Sequence, residues 1–251
     1  MSTTGPTRTV IITGISPLYP LSEETACAFA GQNTTHIALI GPAKDYLEAI
    51  KTELSSRFPG LTVLAQQSDI TSSESLGRAS HVIRTQLGAW DVFIHNPSSH
   101  AARCPDTTIR GADEDLWWGS FLRNVRSLHF IARHFFPKMK PAATFINIVR
   151  TDLDGSGVER DSAGNASGIA AAKVVEYLGE ENDEGLKVMN LVAMPEDTMV
   201  ADFVVWSVSQ RLAFEHGMHL DASIGRAGYE VVNGKLWRCE IPEEDGFVNG
   251  D

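Results

Sequence analysis

The chain reads as an α/β protein, a Rossmann-like doubly wound parallel sheet with helices on both faces. Three observations predict this. Short, largely apolar and β-branched runs recur at 9–13, 36–40, 61–65, 90–95, 144–149 and 187–192, the pattern of strands buried on both faces. Between them lie stretches of helical length, and strands alternating with helices at this spacing pair in parallel. The strands run into turn residues such as Gly14, Gly41-Pro42 and Asn96-Pro97.

The first strand, Thr9-Val10-Ile11-Ile12-Thr13, ends at Gly14 and enters a loop stiffened by Pro17 and Pro20. Ser22, followed by Glu23 and Glu24, is the expected N-cap of a helix that runs on through Ala26, Phe29 and Ala30. A second strand at 36–40 leads to an amphipathic helix at 45–58, a Pro59-Gly60 turn and a third strand at 61–65. Ser68-Asp69-Ile70-Thr71 then introduces a helix at 73–87, and the fourth strand, 90–95, runs into Asn96-Pro97-Ser98-Ser99. After an irregular segment at 100–111, one long helix is expected over 113–136, with Asn124 at its middle. The fifth strand, 144–149, passes through the polar loop Arg150-Thr151-Asp152-Leu153-Asp154-Gly155-Ser156-Gly157. A small-residue helix follows, Ala166-Ser167-Gly168-Ile169-Ala170-Ala171-Ala172-Lys173. A sixth strand at 187–192, a helix at 198–214 and a last strand at 218–222 complete the core. With no internal repeat and no low-complexity linker, 1–251 is expected to be a single domain, its core at about 9–222 and an acidic C-terminal extension at 223–251.

Composition bounds the function. The chain has 251 residues, 43% hydrophobic and 21% charged, as in an ordinary globular protein. The net charge of −11 and the lack of a basic run argue against nucleic acid or an anionic membrane as partner. Cys27, Cys104 and Cys239 are three, far apart and without a CxxC pair, which fits free thiols in a reducing compartment. The N-terminal Met-Ser-Thr-Thr-Gly-Pro lacks the pattern of a signal peptide, and no apolar run is long enough to span a bilayer. A cytoplasmic location is expected. His216 and His219 make an HxxH pair without a third ligand, so no metal site is expected.

The strand, polar loop and helix from Thr144 to Lys173 are the stretch where an α/β sheet builds a reaction centre. Here the order of elements and several short motifs resemble the short-chain dehydrogenase/reductase family, over most of the chain. Thr13-Gly14 matches the start of that family's nucleotide motif, and Asp69 follows the third strand, where the resemblance implies an adenine contact. Asn96 begins the counterpart of Asn-Ala-Gly, Asn124 matches the helix asparagine, Lys173 the catalytic lysine and Pro195 the proline after the sixth strand. The runs Ala201-Asp202-Phe203-Val204-Val205-Trp206 and Ala172-Lys173-Val174-Val175-Glu176-Tyr177-Leu178-Gly179 look closest to the fungal branch found in secondary metabolism.

The departures carry more information. The family's glycine-rich turn is replaced by Pro17, Leu18, Tyr19 and Pro20; proline removes N–H donors and bulky side chains block close approach to a pyrophosphate. Asn-Ala-Gly continues here as Pro97-Ser98. The family's catalytic serine falls on Arg150, and its tyrosine, four residues before the lysine, falls on Ile169. Isoleucine cannot move a proton, and arginine stays protonated. Tyr177, one turn beyond Lys173, is poorly placed to substitute; Asp152, Asp154 and His95 are the other candidate proton donors.

Three readings follow. In the first, an enzyme keeps the family's pocket, drops its redox chemistry and cyclises or isomerises a hydrophobic natural product without a cofactor. Arg150, Asn124, Lys173 and Asp152 are its candidate catalytic residues, with Trp117, Trp118 and Phe121 as pocket walls. In the second, a reductase with an unorthodox site still binds NADP(H) through Gly14, Asp69 and Asn96, with Lys44 near a 2′-phosphate. The third is a non-catalytic binding protein. Plainer roles stand beside each residue: Arg150 as a surface partner of Asp152 or Asp154, Asp69 as a helix N-cap, Lys173 as a solvated helix residue and Asn124 as a partner of helix carbonyls. A homodimer or homotetramer is expected through the helices at 113–136 and 166–179, where small residues permit close approach.

Overall fold

A computed structural model describes residues 8–17, 20–97, 108–150, 161–182, 185–193, 199–209 and 218–223, and the backbone of 229–232 and 235–238. Seven parallel strands form one sheet: β1 (Arg8–Thr13), β2 (Thr34–Gly41), β3 (Thr62–Gln67), β4 (Trp90–His95), β5 (Met139–Val149), β6 (Lys187–Val192) and β7 (Met218–Asp221), in the order β3-β2-β1-β4-β5-β6-β7. The strand order reverses between β1 and β4. Ligand crevices of open α/β sheets lie at the carboxyl ends of the strands at such a reversal. Here those ends are Thr13-Gly14 and His95-Asn96.

The apolar runs divide their side chains between two cores. Val10 and Ile12, with Ile37, Leu39 and Met189, pack under α1 (Leu21–Ala30), α2 (Lys44–Arg57) and α7 (Val200–Ser209). Ile11, Phe93 and Phe145 turn the other way. They meet α3 (Ser73–Leu87), α5 (Ser127–His134) and α6 (Ser162–Glu180) through Leu76, Ile83, Leu128, Phe135 and Val175. This alternation across the sheet explains why the strands carry no polar face: both sides are dry.

Several element ends differ from expectation. The long helix over 113–136 is three pieces: α4 (Glu114–Phe121), capped by Asp113, a π-helical turn at Leu122–Arg126, and α5. The helix carrying Lys173 starts at Ser162, where Asp161 accepts from the Gly164 N–H at 3.0 Å as N-cap. Ser22 is not the cap of α1; Pro20 holds that position. The Ser22 hydroxyl is buried and donates instead to the Thr13 carbonyl at 3.1 Å. An antiparallel hairpin, β8 (Tyr229–Val232) with β9 (Lys235–Arg238), lies within the C-terminal extension, where no strand was expected. No helix among the described residues is long and apolar enough to cross a membrane.

Candidate functional site

At the reversal point the backbone of Gly14 lies directly on Asn96. Gly14 has φ +80°, and a Cβ there would fall 2.0 Å from the Asn96 carbonyl oxygen. A Cβ on Gly41 would similarly fall 2.3 Å from the Ile15 carbonyl oxygen. Both glycines are therefore required by the chain's own packing, whatever binds nearby. Asn96 is fully buried and donates its Nδ2 to Ser22 Oγ at 2.9 Å, which ties the fourth strand to the first helix.

His95, expected as a possible proton donor, is sealed in the core. Its Nδ1 lies 2.8 Å from Thr13 Oγ1 and its Nε2 2.9 Å from Ser127 Oγ. Thr13 Oγ1 accepts from the Asn96 N–H, and Ser127 Oγ donates to the Arg123 carbonyl. With Ser127 already donating, it must accept from His95, which places the ring proton on Nε2 and leaves Nδ1 to accept from Thr13. Burial pushes the imidazole pKa down to about 3. A neutral, doubly bonded ring of this kind holds strands and helix together and has no proton to offer a substrate.

The π-helical turn separates the directions of Arg123 and Asn124. Asn124 faces α6 and donates Nδ2 to Ser167 Oγ at 2.8 Å; its Oδ1 is buried with no hydrogen-bond partner. Ser167 in turn donates to the Ala163 carbonyl at 2.6 Å. Helix α6 is held to the sheet from behind, where Asn190 donates Nδ2 to the Ala172 carbonyl at 3.0 Å and its Oδ1 accepts from Asn147 Nδ2 at 3.0 Å. A π turn within an α-helix is a common mark of a functional segment.

Lys173 is not at this site. Its ammonium pairs with Glu176, sits 5.3 Å from the centre of the Tyr177 ring and lies exposed on the outer side of α6. Glu176 also meets His219 at 3.0 Å, and raises the Lys173 pKa by hydrogen bond and charge. Ile169 is also exposed, at 42%. The inner face of α6 instead carries Ala163, Ser167, Gly168, Ala171 and Ala172, with Gly164 a half-buried turn before Gly168. The pair four residues apart that brackets Ser167 on this face is Gly164 and Gly168, not Ile169 and Lys173. No phenol and no ammonium reaches Asn124 from α6.

The remaining site residues are placed as follows. Arg150, half-buried, directly follows the last residue of β5 at the carboxyl edge of the sheet. Asp152, Asp154, Cys104 and His216 lie outside the described residues. Trp117 donates Nε1 to Ser162 Oγ at 3.1 Å and stacks with Phe121, whereas Trp118 points outward, 54% exposed. Asp69 is not the N-cap of α3; Ser72 is, accepting from Ser75 N at 3.2 Å. Asp69 Oδ1 accepts from the Thr71 N–H and hydroxyl, both at 2.8 Å. No group of three or more His, Cys, Asp and Glu gathers among the described residues.

A cleft of about 250 Å³ opens at the carboxyl ends of β1, β2 and β3, lined by Gly14, Gly41, Pro42, Ser68, Asp69 and Arg123, among others. Arg123 was not singled out from the sequence: a helical arginine beside Asn124 looks like any solvated one until the π turn aims it inward. Burial pulls its guanidinium below the ordinary value, and the Asp161 carboxylate works against that shift.

A short chain dehydrogenase family model matches residues 8–199, and the chain belongs to that family. Among solved structures it is similar to L-sorbose reductase from Gluconobacter frateurii complexed with NADPH and L-sorbose (18% identity, 86% of this chain and 95% of that one, TM-score 0.74). A short chain dehydrogenase from Escherichia coli CFT073 complexed with NADPH is similar as well (18%, 86% and 96%, 0.71). So is a short chain oxidoreductase from Pseudomonas aeruginosa PAO1 containing an atypical catalytic center (15%, 87% and 97%, 0.74). No curated protein matches the chain significantly.

A nicotinamide dinucleotide fits this site in part. The cleft offers a nucleoside-sized space with the Asp69 carboxylate in it. Among the described residues the diphosphate end fits poorly. The first turn of α1 carries Glu23 and Glu24, which already complement the helix dipole with negative charge, and Pro20 at its N-cap has no N–H to give. Glu23 is further fixed by the Tyr46 hydroxyl, which donates to it at 2.6 Å. Burial, and the hydrogen bond to Glu23, push that phenol up to about 12.

Proposed function

We propose that this chain catalyses a redox-neutral cyclisation or isomerisation of a hydrophobic, carbonyl-bearing natural product, on the scaffold of a family whose members typically move hydride. One observation carries this reading: the face of α6 turned to Asn124 presents Gly164, Ser167 and Gly168, while Lys173 is engaged with Glu176 at the surface. Without a phenol–ammonium pair, a carbonyl oxygen receives no proton from α6 when hydride arrives. The acidic first turn of α1 and the poor diphosphate seat support the same reading.

In this mechanism the reaction needs a shaped pocket and fixed polar groups. Arg150, at the end of β5, stabilises the oxyanion of a developing enolate; its planar, permanently charged fork suits that task. The unpartnered Asn124 Oδ1 accepts a hydrogen bond from a substrate hydroxyl and so orients it. Trp117 and Phe121 provide an apolar wall. Asp152 is the candidate group for moving a proton between carbon positions. The test is product analysis by mass spectrometry on a panel of carbonyl-bearing polycyclic and polyketide-type substrates, with and without NADPH. Conversion at constant mass without NADPH is the expected result. Substrate-dependent oxidation of NADPH would overturn it.

That outcome would support the second reading, an NADP(H)-dependent reductase with an atypical centre. The cleft beside Asp69 and the NADPH complexes of similar structures favour it. We also propose a homodimer or homotetramer through the outer faces of α4, the π-helical turn and α6, which expose Trp118, Leu122, Ile169 and Tyr177.

A further inference from the structure

Charge is unevenly spread along this chain. Its net charge is −11, yet no Asp or Glu occurs between Asp115 and Asp152, a stretch that holds Arg126, Arg133, Lys138 and Lys140. Helix α3, which packs against α5, has one carboxylate, Glu74, and Arg78 pairs with it. Beside that contact four basic side chains gather: Arg84 of α3, Arg133 and His134 at the end of α5, and Lys138 in the turn that follows. They sense one another. Burial, then Arg133, Lys138 and His129, lower the His134 pKa, and burial, then Arg84, lower that of Lys138. Among the described residues no carboxylate pairs with any of the four. Two of them are fixed by neutral hydroxyls. Lys138 Nζ donates to the buried Ser80 Oγ at 2.6 Å, and Ser80 donates on to the Gly77 carbonyl at 3.0 Å. His134 Nε2 lies 2.9 Å from Ser73 Oγ, with the ring against Gly77. Arg84 and Arg133 are exposed. Like charges gathered without counter-ions oppose folding, and the apolar contact of α3 with α5 through Leu76, Ile83, Leu128 and Phe135 does without them.

We propose that this face of α3 and α5 docks an acidic partner protein, whose carboxylates take Arg84, Arg133 and Lys138. Lys138 is already held in place by Ser80, so docking immobilises one long side chain fewer. Other polyanions fit less well. A nucleic acid or an anionic bilayer extends beyond three cations onto a chain of net charge −11. A two-fold contact of the patch with its own copy sets cations on cations, so the occupant is a different protein. This inference rests on charge at α3 and α5 and does not depend on the reading of α6.

Fluorescence anisotropy of the full chain with a dye-labelled helical peptide carrying glutamate at every fourth residue tests it, beside the same peptide with glutamine. The glutamate peptide should bind saturably, and about fivefold more weakly when salt rises from about 50 to about 200 mM. Arg84→Glu combined with Arg133→Glu should weaken binding about tenfold, and the matching glutamine pair by a smaller factor. Lys51→Glu with Arg57→Glu, on α2, should change it by less than about twofold. Far-ultraviolet circular dichroism shows whether each variant folds, and the glutamine pair keeps the test open if the glutamate pair does not. No binding of the glutamate peptide, equal binding of the glutamine peptide, or an equal loss from the α2 variant would overturn the proposal. A single-stranded oligonucleotide that binds more tightly than the peptide would overturn it in favour of a nucleic-acid site. So would a fall in native mass by light scattering in the Arg84→Glu, Arg133→Glu variant, which describes a contact between copies of this chain.

Discussion

Asn124 donates its side-chain amide to Ser167 at 2.8 Å, and this bond joins the π-helical turn to the inner face of α6. It sets which residues of α6 belong to the site and which do not. Ser167 is fully buried and donates its hydroxyl hydrogen bond to the Ala163 carbonyl, so it can serve Asn124 only as an acceptor. Replacing Ser167 by alanine strands the Asn124 Nδ2 donor beside an Oδ1 that already lacks a partner. A buried donor left unpaired costs about 1–3 kcal/mol. Urea unfolding of Ser167→Ala should show a lower midpoint at unchanged slope, and an unchanged midpoint would mean that water replaces the hydroxyl.

Lys173 offers the opposite test. Its ammonium is exposed and engaged with Glu176, and exposed pairs of this kind contribute little. Lys173→Ala should keep turnover and ligand binding within about twofold, the range expected of a solvated surface substitution. A hundredfold loss of turnover with binding intact would return Lys173 to the reaction centre.

The contrast between these two residues shows what the sequence could and could not reveal. The strands were legible because Val10, Ile11 and Ile12, or Phe145, Ile146 and Ile148, are buried on both faces and need no context to declare it. The placing of Gly14, Asp69 and Asn96 at strand ends followed from the same runs. Lys173 was placed by its spacing from neighbours, but spacing does not give facing. Five residues separate it from Gly168, roughly 140° around a helix of 100° per residue. Ser22 reads as a cap, and Asp69 as a cap or an adenine contact, because caps are local; tertiary bonds to Thr13 and Asn96 claim the first, and a turn with Thr71 takes Oδ1 of the second. The π turn has no one-dimensional signature, so the inward direction of Arg123 was invisible.

The outer faces of α4 and α6 make a prediction about assembly. Trp118 and Leu122 are one turn apart on one helix segment, and Ile169 and Tyr177 are two turns apart on another. Large apolar side chains grouped in this way mark an interaction surface more often than bare solvent exposure. Light scattering at micromolar concentration should give the mass of a dimer or tetramer. Trp118→Glu combined with Ile169→Glu should reduce it to the monomer without loss of helical circular dichroism. A monomeric native chain would remove the assembly proposal.

His95 makes stability depend on pH in a stated direction. Its folded-state pKa lies near 3 because of burial, whereas the unfolded imidazole titrates near 6.5. Between those values the unfolded chain binds a proton that the folded chain refuses, so stability rises with pH there. The contribution is complete above about pH 6.5 and is lost progressively as pH falls toward 3. At pH 5 the loss is about 2 kcal/mol, since each pH step below the unfolded pKa corresponds to about 1.4 kcal/mol. Thermal unfolding of the native chain and of His95→Gln between pH 8 and pH 5 separates this residue from the carboxylates. The glutamine amide can still donate to Ser127 and accept from Thr13, but it does not titrate. The native chain should lose stability more steeply than the variant below pH 6.5, and parallel curves would show that His95 is protonated within the fold.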